Sequence, residues 1–385
     1  MVPLGDRASG AAGDPGSRSI AAYLELLLRE IAQAPGGPPL ATVYVGGGTP
    51  SMLTPAQLAA LLAALRRRFG IASGAEISLE MDPASFDQAR LVGYLAAGVT
   101  RVSLGGQSFD DAVLERLGRR HRRADLLEAA GWLAAAQRQG ALRSWSLDLM
   151  QGLPAQGLPA WREQLQQAIA LKPPHLSVYD LIIEPGTVFE RLEARGELEL
   201  PEEELAADLM ETTAATLAAA GYGHYEISNY ALPGHASRHN RVYWSGGGWW
   251  GFGLGATSAP WGVRLARPRT RDGYAAWLDG AIALDSLGER DAAGAGMPFD
   301  ERVMVGLRRR EGVRLALLAA EAGLPAAALA ALEQRWQPFL TAGLLRRQGV
   351  RWSLSDPQGL ALSNAVLREL LLWWEAWSAD PPPSP

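Results

Sequence analysis

Apolar residues recur along this chain in two alternating rhythms. Residues 41–45, 76–81, 100–104, 143–150 and 175–181 are short β-prone runs, and Ala/Leu-rich stretches with helical spacing separate them. Strand and helix alternating in this way predict βα units around a parallel sheet. The first helix is predicted over residues 19–34, where Tyr23, Leu24, Leu27, Leu28 and Ile31 share one face. Thr54, Pro55 and Gln57 supply an N-cap, an N1 proline and a capping-box glutamine for the next helix. Gly98 is the expected C-cap of a helix over residues 87–97. One more β-prone run follows at 224–228. The period fits an α/β fold of the (β/α) barrel kind, in which polar residues at the C-terminal ends of the strands carry the chemistry.

Beyond residue 229 the texture changes. Residues 244–261 are rich in Gly and Trp and read as packed irregular loop. From residue 299 come two or three helices and then a hairpin over 344–362, with its turn expected at Ser355, Asp356 and Pro357. That order suggests a small winged-helix-like domain. The expected organisation is a disordered leader over 1–18, a barrel domain over 19–290 and a C-terminal domain over 298–379, with a disordered proline-rich tail over 380–385.

Of the 385 residues 48% are apolar, enough for a sizeable core, and the net charge of −5 argues against nucleic acid as a partner. No apolar run is long enough for a transmembrane segment and no signal peptide is visible, so a soluble cytoplasmic protein is expected. The chain has no cysteine, which excludes disulfides, thiol nucleophiles and protein-ligated iron–sulfur clusters in the chain as written. Arginine clusters at 66–68, 119–123 and 308–310 fall near predicted helix ends, where cations suit the macrodipole.

Five segments carry candidate chemistry. Gly46–Pro50 reads GGGTP directly after a predicted strand, and successive glycines let a backbone approach a ligand closely. Glu80 ends the next strand, where a carboxylate can accept from ribose hydroxyls or cap a helix. Gln107 and Arg119 follow the third, as polar ligands or as surface residues. Asp148 interrupts an otherwise apolar strand, and a carboxylate there implies a ligand or a buried partner. His235, His239, Asn240 and Tyr243 cluster near residue 240, and imidazole and phenolate both ligate haem iron. A zinc site from His224, Glu226, His235 and His239 and purely structural histidines are the alternatives.

In series, VYVGGGTPSML, ISLEMDP, RVSLGGQSF, LDLMQGLPAQ, LSVYDLIIEPGT, YEISNYA, RHNRVYW and GFGLGATS resemble the radical S-adenosylmethionine family that contains the oxygen-independent coproporphyrinogen oxidases and the HemW-type haem chaperones. The resemblance runs from about residue 23 to about residue 369. It implies that Gly47, Gly48 and Thr49 meet the amino end of S-adenosylmethionine and that Glu80, Gln107, Arg119 and Asp148 surround that cofactor. His239, Asn240 and Tyr243 match the HNxxY motif associated with haem binding, which favours the chaperone branch.

The family also holds a [4Fe–4S] cluster through CxxxCxxC ahead of the segment matching residues 19–34, and this chain has no such motif. A start codon placed too far downstream or a real loss would account for it, and the retained cofactor-shell residues favour the first. The resemblance implies a partial barrel lacking its first strand, with one open edge on the strand at 41–45. Haem and haem-accepting proteins are the expected partners, with a homodimer left open and radical chemistry absent from the chain as written. The alternatives are coproporphyrinogen oxidation and a nucleic-acid reader in the C-terminal domain, the latter supported only by Arg308, Arg309 and Arg310. His239 is the expected iron ligand, in a loop that Asn240 orients, with Tyr243 second; Trp244, Trp249 and Trp250 either cover a macrocycle or pack as a loop core.

Overall fold

The computed structural model describes residues 18–183, 188–196, 200–280 and 296–379. The expected leader, apart from Arg18, and the tail over 380–385 lie outside the described residues. Helix α1 spans Arg18–Gln33 and is followed by β1 (Leu40–Val45), α2 (Pro55–Arg68), β2 (Ile71–Met81), α3 (Gln88–Ala97) and β3 (Arg101–Gln107). Then come α4 (Asp111–Arg116), α5 (Arg123–Arg138), β4 (Ser144–Gln151), α6 (Leu158–Ala170), β5 (His175–Asp180), α7 (Val188–Ala194) and α8 (Glu203–Ala219). The Thr54–Gln57 capping box forms, and Gly98 ends α3 in the left-handed conformation.

Strands β1 to β5 are parallel neighbours, and the sheet continues through β7 (Asn229–Ala231) to β6 (Gly223–Glu226), both pairings antiparallel. The seven strands curl into a half-barrel, and β1 is its outermost strand on one side among the described residues. The single strand expected at 224–228 is a hairpin instead. Ile227 and Ser228 make its turn, and the Asn229 side chain folds back on the Glu226 carboxylate.

Alternation along the strands sorts the two faces. Val43, Leu79, Leu104, Trp145, Leu147 and Val178 are buried in the main core with helices α2, α3, α5 and α6. The opposite, concave face is polar. The register sets Thr42 beside Glu76 and Tyr44 beside Ser78, with Arg101 and Ser144 continuing that second row. Glu80, Ser103, Ser146 and His175 form the row above, and Asp148 and Ser177 the row above that. The bulk of the core thus lies between sheet and helices, and the inside of the half-barrel is left for polar chemistry.

The Gly/Trp-rich segment closes one side. It contains α9 (Arg238–Trp244) and the short pair β8 (Thr257–Ser258) and β9 (Leu265–Ala266), followed by α10 (Arg271–Asp279). Glu30 of α1 ties it down. The Glu30 carboxylate pairs with Arg267 Nε at 2.8 Å and accepts from Tyr274 Oη at 2.5 Å and from the Gly253 N–H at 2.8 Å. Trp250 packs against Phe69 at 5.9 Å and Trp261 at 5.5 Å between ring centroids. Trp249 packs edge-on against Tyr243 at 5.0 Å.

The C-terminal unit is helical with one hairpin. Helices Phe299–Leu307, Leu315–Glu321 and Ala326–Arg335 precede β10 (Leu345–Gln348) and β11 (Arg351–Leu354), and a helix over Ser363–Ala379 ends it. Its own core includes Val303, Leu332, Trp336, Trp352 and Leu370. The hairpin turn lies at Gly349 and Val350, not at Ser355–Pro357, because Gly349 takes the φ of +59° that a two-residue turn needs. Ser355, Asp356 and Pro357 follow the second strand, where the Asp356 carboxylate receives His224 Nδ1 at 2.7 Å and joins the unit to β6. The Arg308–Arg310 cluster is used internally. Ile227 N–H donates to Arg308 C=O at 3.1 Å, Arg310 N–H to Tyr225 C=O at 3.2 Å, and the Arg308 guanidinium covers Trp244.

Candidate functional site

At the top of β1 the chain turns through Gly46, Gly47 and Gly48. A Cβ on Gly46 would lie 2.6 Å from the Tyr44 ring and 2.9 Å from Glu80 Oε1, so a side chain here would displace both. Gly47 and Gly48 have φ of +79° and +51° and open space beside them. The Glu80 carboxylate organises the turn, accepting from Tyr44 Oη at 2.8 Å and from the Gly47 N–H at 2.9 Å. Burial and the facing Glu80 push the Tyr44 phenol well above its usual range, so it stays a donor. Thr49 is exposed at the end of the turn.

Asp148 lies on the same concave face. It accepts from Ser103 Oγ at 2.7 Å and Ser146 Oγ at 2.8 Å. Ser146 also meets Ser177 Oγ at 3.0 Å and His175 Nδ1 at 2.8 Å, and His175 Nε2 meets Tyr225 Oη at 2.7 Å. This chain is the partner that a carboxylate in an apolar strand required. Burial nevertheless pushes the Asp148 carboxyl up, against the hydrogen bonds that favour its charge, and the Glu80 charge adds to the rise. A raised folded-state pKa contributes stability below the unfolded value and loses it as pH rises through the folded one. Asp148→Asn is therefore expected to stabilise the free protein at pH 7.5 by roughly 0.5–2 kcal/mol, a gain that shrinks toward pH 4. Urea unfolding at the two pH values checks this; a less stable variant at pH 7.5 contradicts it.

Gln107 ends β3 with φ of 63°, a left-handed conformation in a non-glycine residue that costs about 1–3 kcal/mol. Gly105, opposite Asp148 in the ladder, leaves room for the Gln107 amide, which would stand 3.2 Å from a Cβ there. Arg119 follows α4 and is half-buried. Burial raises the Asp82 carboxyl, but His121 and the Arg119 charge outweigh it and hold Asp82 below the ordinary range. Among the expected cofactor residues, Gly47 and Glu80 are in direct contact. Asp148 and Gln107 stand on the adjoining strands at the same end, Gly48 and Thr49 line the open turn, and the Arg119 charge acts on Asp82.

The HNxxY residues are not in a loop. They form α9, because Ser237 caps it by accepting the Asn240 N–H at 3.2 Å and Glu76 accepts the N–H groups of Arg238 and His239 at 3.1 and 3.0 Å. The side chains that orient the segment are thus Ser237 and Glu76, and Asn240 contributes its backbone N–H. His239 points into the half-barrel. Its Nδ1 is 2.8 Å from Thr42 Oγ1, its Nε2 is 3.0 Å from Tyr243 Oη, and its ring stacks on Tyr44 at 5.0 Å and 20°. Burial pulls its pKa down to about 4, so it is neutral at pH 7. Trp244, Trp249 and Trp250 pack against protein partners, in line with the loop-core reading. His224 pairs with Asp356, His235 with Ser144 and His239 with Thr42, and no group of three ligating side chains that could hold a metal forms among the described residues. Thr42, Tyr44, Glu76, His175 and Tyr225 are the participants that motif reading missed; the i, i+2 spacing of Thr42, Tyr44 and Gly46 was the signal for the first two.

The radical SAM superfamily profile matches residues 13–154, and the HemN C-terminal domain profile matches residues 299–362. The chain is 41% identical over 367 residues to the heme chaperone HemW of Synechocystis sp., covering 90% of this chain and 87% of that protein. The chain belongs to the HemW family. A second HemW, from Mycobacterium tuberculosis, is 35% identical over 365 residues, covering 94% of this chain and 87% of that one. The solved coproporphyrinogen III oxidase HemN of Escherichia coli shares the fold, with a TM-score of 0.73 at 20% identity over 94% of this chain and 85% of that one. In this HemW-family chain no described helix is long and apolar enough to cross a membrane. Without cysteine, its residues do not fit a [4Fe–4S] cluster.

Proposed function

We propose that this HemW-family protein is a haem chaperone of the cytoplasm, which binds haem and hands it to acceptor proteins. The similarity to the HemW chaperones over most of the chain supports the class, and one observation carries the site. His239 is a neutral imidazole whose Nδ1 faces Thr42, so the tautomer with Nδ1–H donating to Thr42 leaves the Nε2 lone pair facing the Tyr243 hydroxyl. That is the arrangement of a ligating histidine with its second nitrogen held. Haem binding would exchange the Tyr243 hydroxyl for iron at Nε2, and Tyr243, released, is the second candidate ligand. The barrel over 19–290 carries this site, and the unit over 298–379 buttresses it through β6.

The residues around the glycine turn suit S-adenosylmethionine. Gly47, Gly48 and Thr49 offer backbone polar groups in open space, and Glu80, Gln107, Arg119 and Asp148 offer the remaining donors and acceptors. When bound, that cofactor supplies an activated sulfonium; with no thiolate to hold a cluster, no radical step follows from the residues of this chain.

The test is haem transfer. Haem-loaded protein is mixed with an apo haem protein, either freely or across a dialysis membrane, and the acceptor's Soret band is followed. Faster transfer in direct contact is expected. Equal rates in the two arrangements would reduce the protein to a passive haem reservoir and remove the chaperone reading.

A further inference from the structure

The HNxxY histidine and the glycine turn stand in one unbroken stack. The His239 ring lies on the Tyr44 ring at 5.0 Å and 20°. The Tyr44 ring also packs against Gly46, where a Cβ would fall 2.6 Å from Tyr44 Cε1. The Tyr44 hydroxyl donates to Glu80 Oε1 at 2.8 Å, and Glu80 Oε2 accepts the Gly47 N–H at 2.9 Å. His239 itself is held from three sides: Thr42 at 2.8 Å, Tyr243 at 3.0 Å and, through its backbone N–H, Glu76 at 3.0 Å. Tyr44 is therefore in contact with both a fixed imidazole and the first glycine of the turn.

We infer that His239 is a positioning residue for the glycine turn: by backing the Tyr44 ring it fixes the Glu80 carboxylate, and through it the Gly47 amide, in the conformation that receives the S-adenosylmethionine end of the site. Removing the ring leaves a void behind Tyr44. The tyrosine can then swing from Glu80, and the carboxylate loses the donor that sets its rotamer while the two left-handed glycines gain freedom. The ring's shape does this, not its nitrogen lone pair. The same side chain thereby serves two ends of the half-barrel, and ligand events at one are felt at the other.

The inference rests on the proposed cofactor reading only for its ligand arm. Glycine-labelled protein reports the Gly47 amide by its proton shift, which a charge-assisted hydrogen bond moves downfield, and equilibrium dialysis reports S-adenosylmethionine affinity. In His239→Ala the Gly47 amide is expected to move toward random-coil values and affinity to fall at least about tenfold. In His239→Phe, which keeps a ring against Tyr44 but cannot ligate iron, both are expected to stay near wild type while the haem Soret band is lost. A wild-type Gly47 shift in His239→Ala overturns the inference, as does a His239→Phe variant that behaves like alanine. If the wild type binds no S-adenosylmethionine, the cofactor reading fails and the Gly47 shift alone decides the positioning role.

Discussion

Glu30→Ala is expected to cost about 3–5 kcal/mol of stability, a large part of what a protein this size has. Glu30 and Arg267 have fully buried side chains, and the carboxylate also accepts from Tyr274 and Gly253. Its removal leaves a guanidinium buried in the loop core with no counter-charge, and unties α1 from the segment that carries α9. Burial is also what makes the pair replaceable as a unit. The double variant Glu30→Leu with Arg267→Met, which removes both charges, is expected to recover most of the loss. Urea unfolding of the three proteins measures this. A loss under about 1 kcal/mol in Glu30→Ala would show that the cluster is not what fastens α1.

The second large effect is a loss of stability in mild acid, with His175 as its source. Burial, with the Arg101 and His235 charges adding to it, holds the His175 imidazole well below its usual pKa, and both nitrogens are engaged by Ser146 and Tyr225. A depressed folded-state pKa contributes stability above the unfolded value and loses it as pH falls. Below about pH 6.5 the unfolded chain takes up a proton at this position that the folded one refuses. Stability is then expected to fall by about 1.4 kcal/mol per pH unit from this group alone. His175→Gln should be less stable than wild type at pH 7.5 and should lose less on going to pH 5. Parallel pH dependences for the two proteins would contradict the assignment.

Much of the site was legible because motif and strand end coincide. Gly46–Pro50 could be placed at the top of β1, and Asp148 marked as needing a partner, because a lone carboxylate between apolar residues is costly wherever it folds. The polar rows beneath were harder to read. Ser103, Ser146 and Ser177 are unremarkable one at a time, and only the ladder register brings them around Asp148 and His175. The role of Tyr44 was hidden for a similar reason. Gly46 is its i+2 neighbour just past β1, but Glu80 and His239 come from β2 and α9, so no local pattern joins all three to it.

Two readings went astray through competition between local signals. Ser355–Asp356–Pro357 has turn chemistry, yet the tighter requirement for positive φ at Gly349 sets the hairpin turn six residues before Ser355. The segment around His239 contains Asn and Gly and reads as loop. It becomes helical because Ser237 and Glu76 satisfy its first N–H groups, and Glu76 is far away in sequence.

The most direct measurement of the central claim is a haem titration of the wild type and of His239→Ala, followed at the Soret band under reducing conditions. The wild type is expected to bind saturably, with the spectrum of a nitrogen-ligated haem. In His239→Ala affinity is expected to be at least about tenfold lower, with that spectrum lost. Unchanged affinity and an unchanged Soret spectrum in His239→Ala would contradict it.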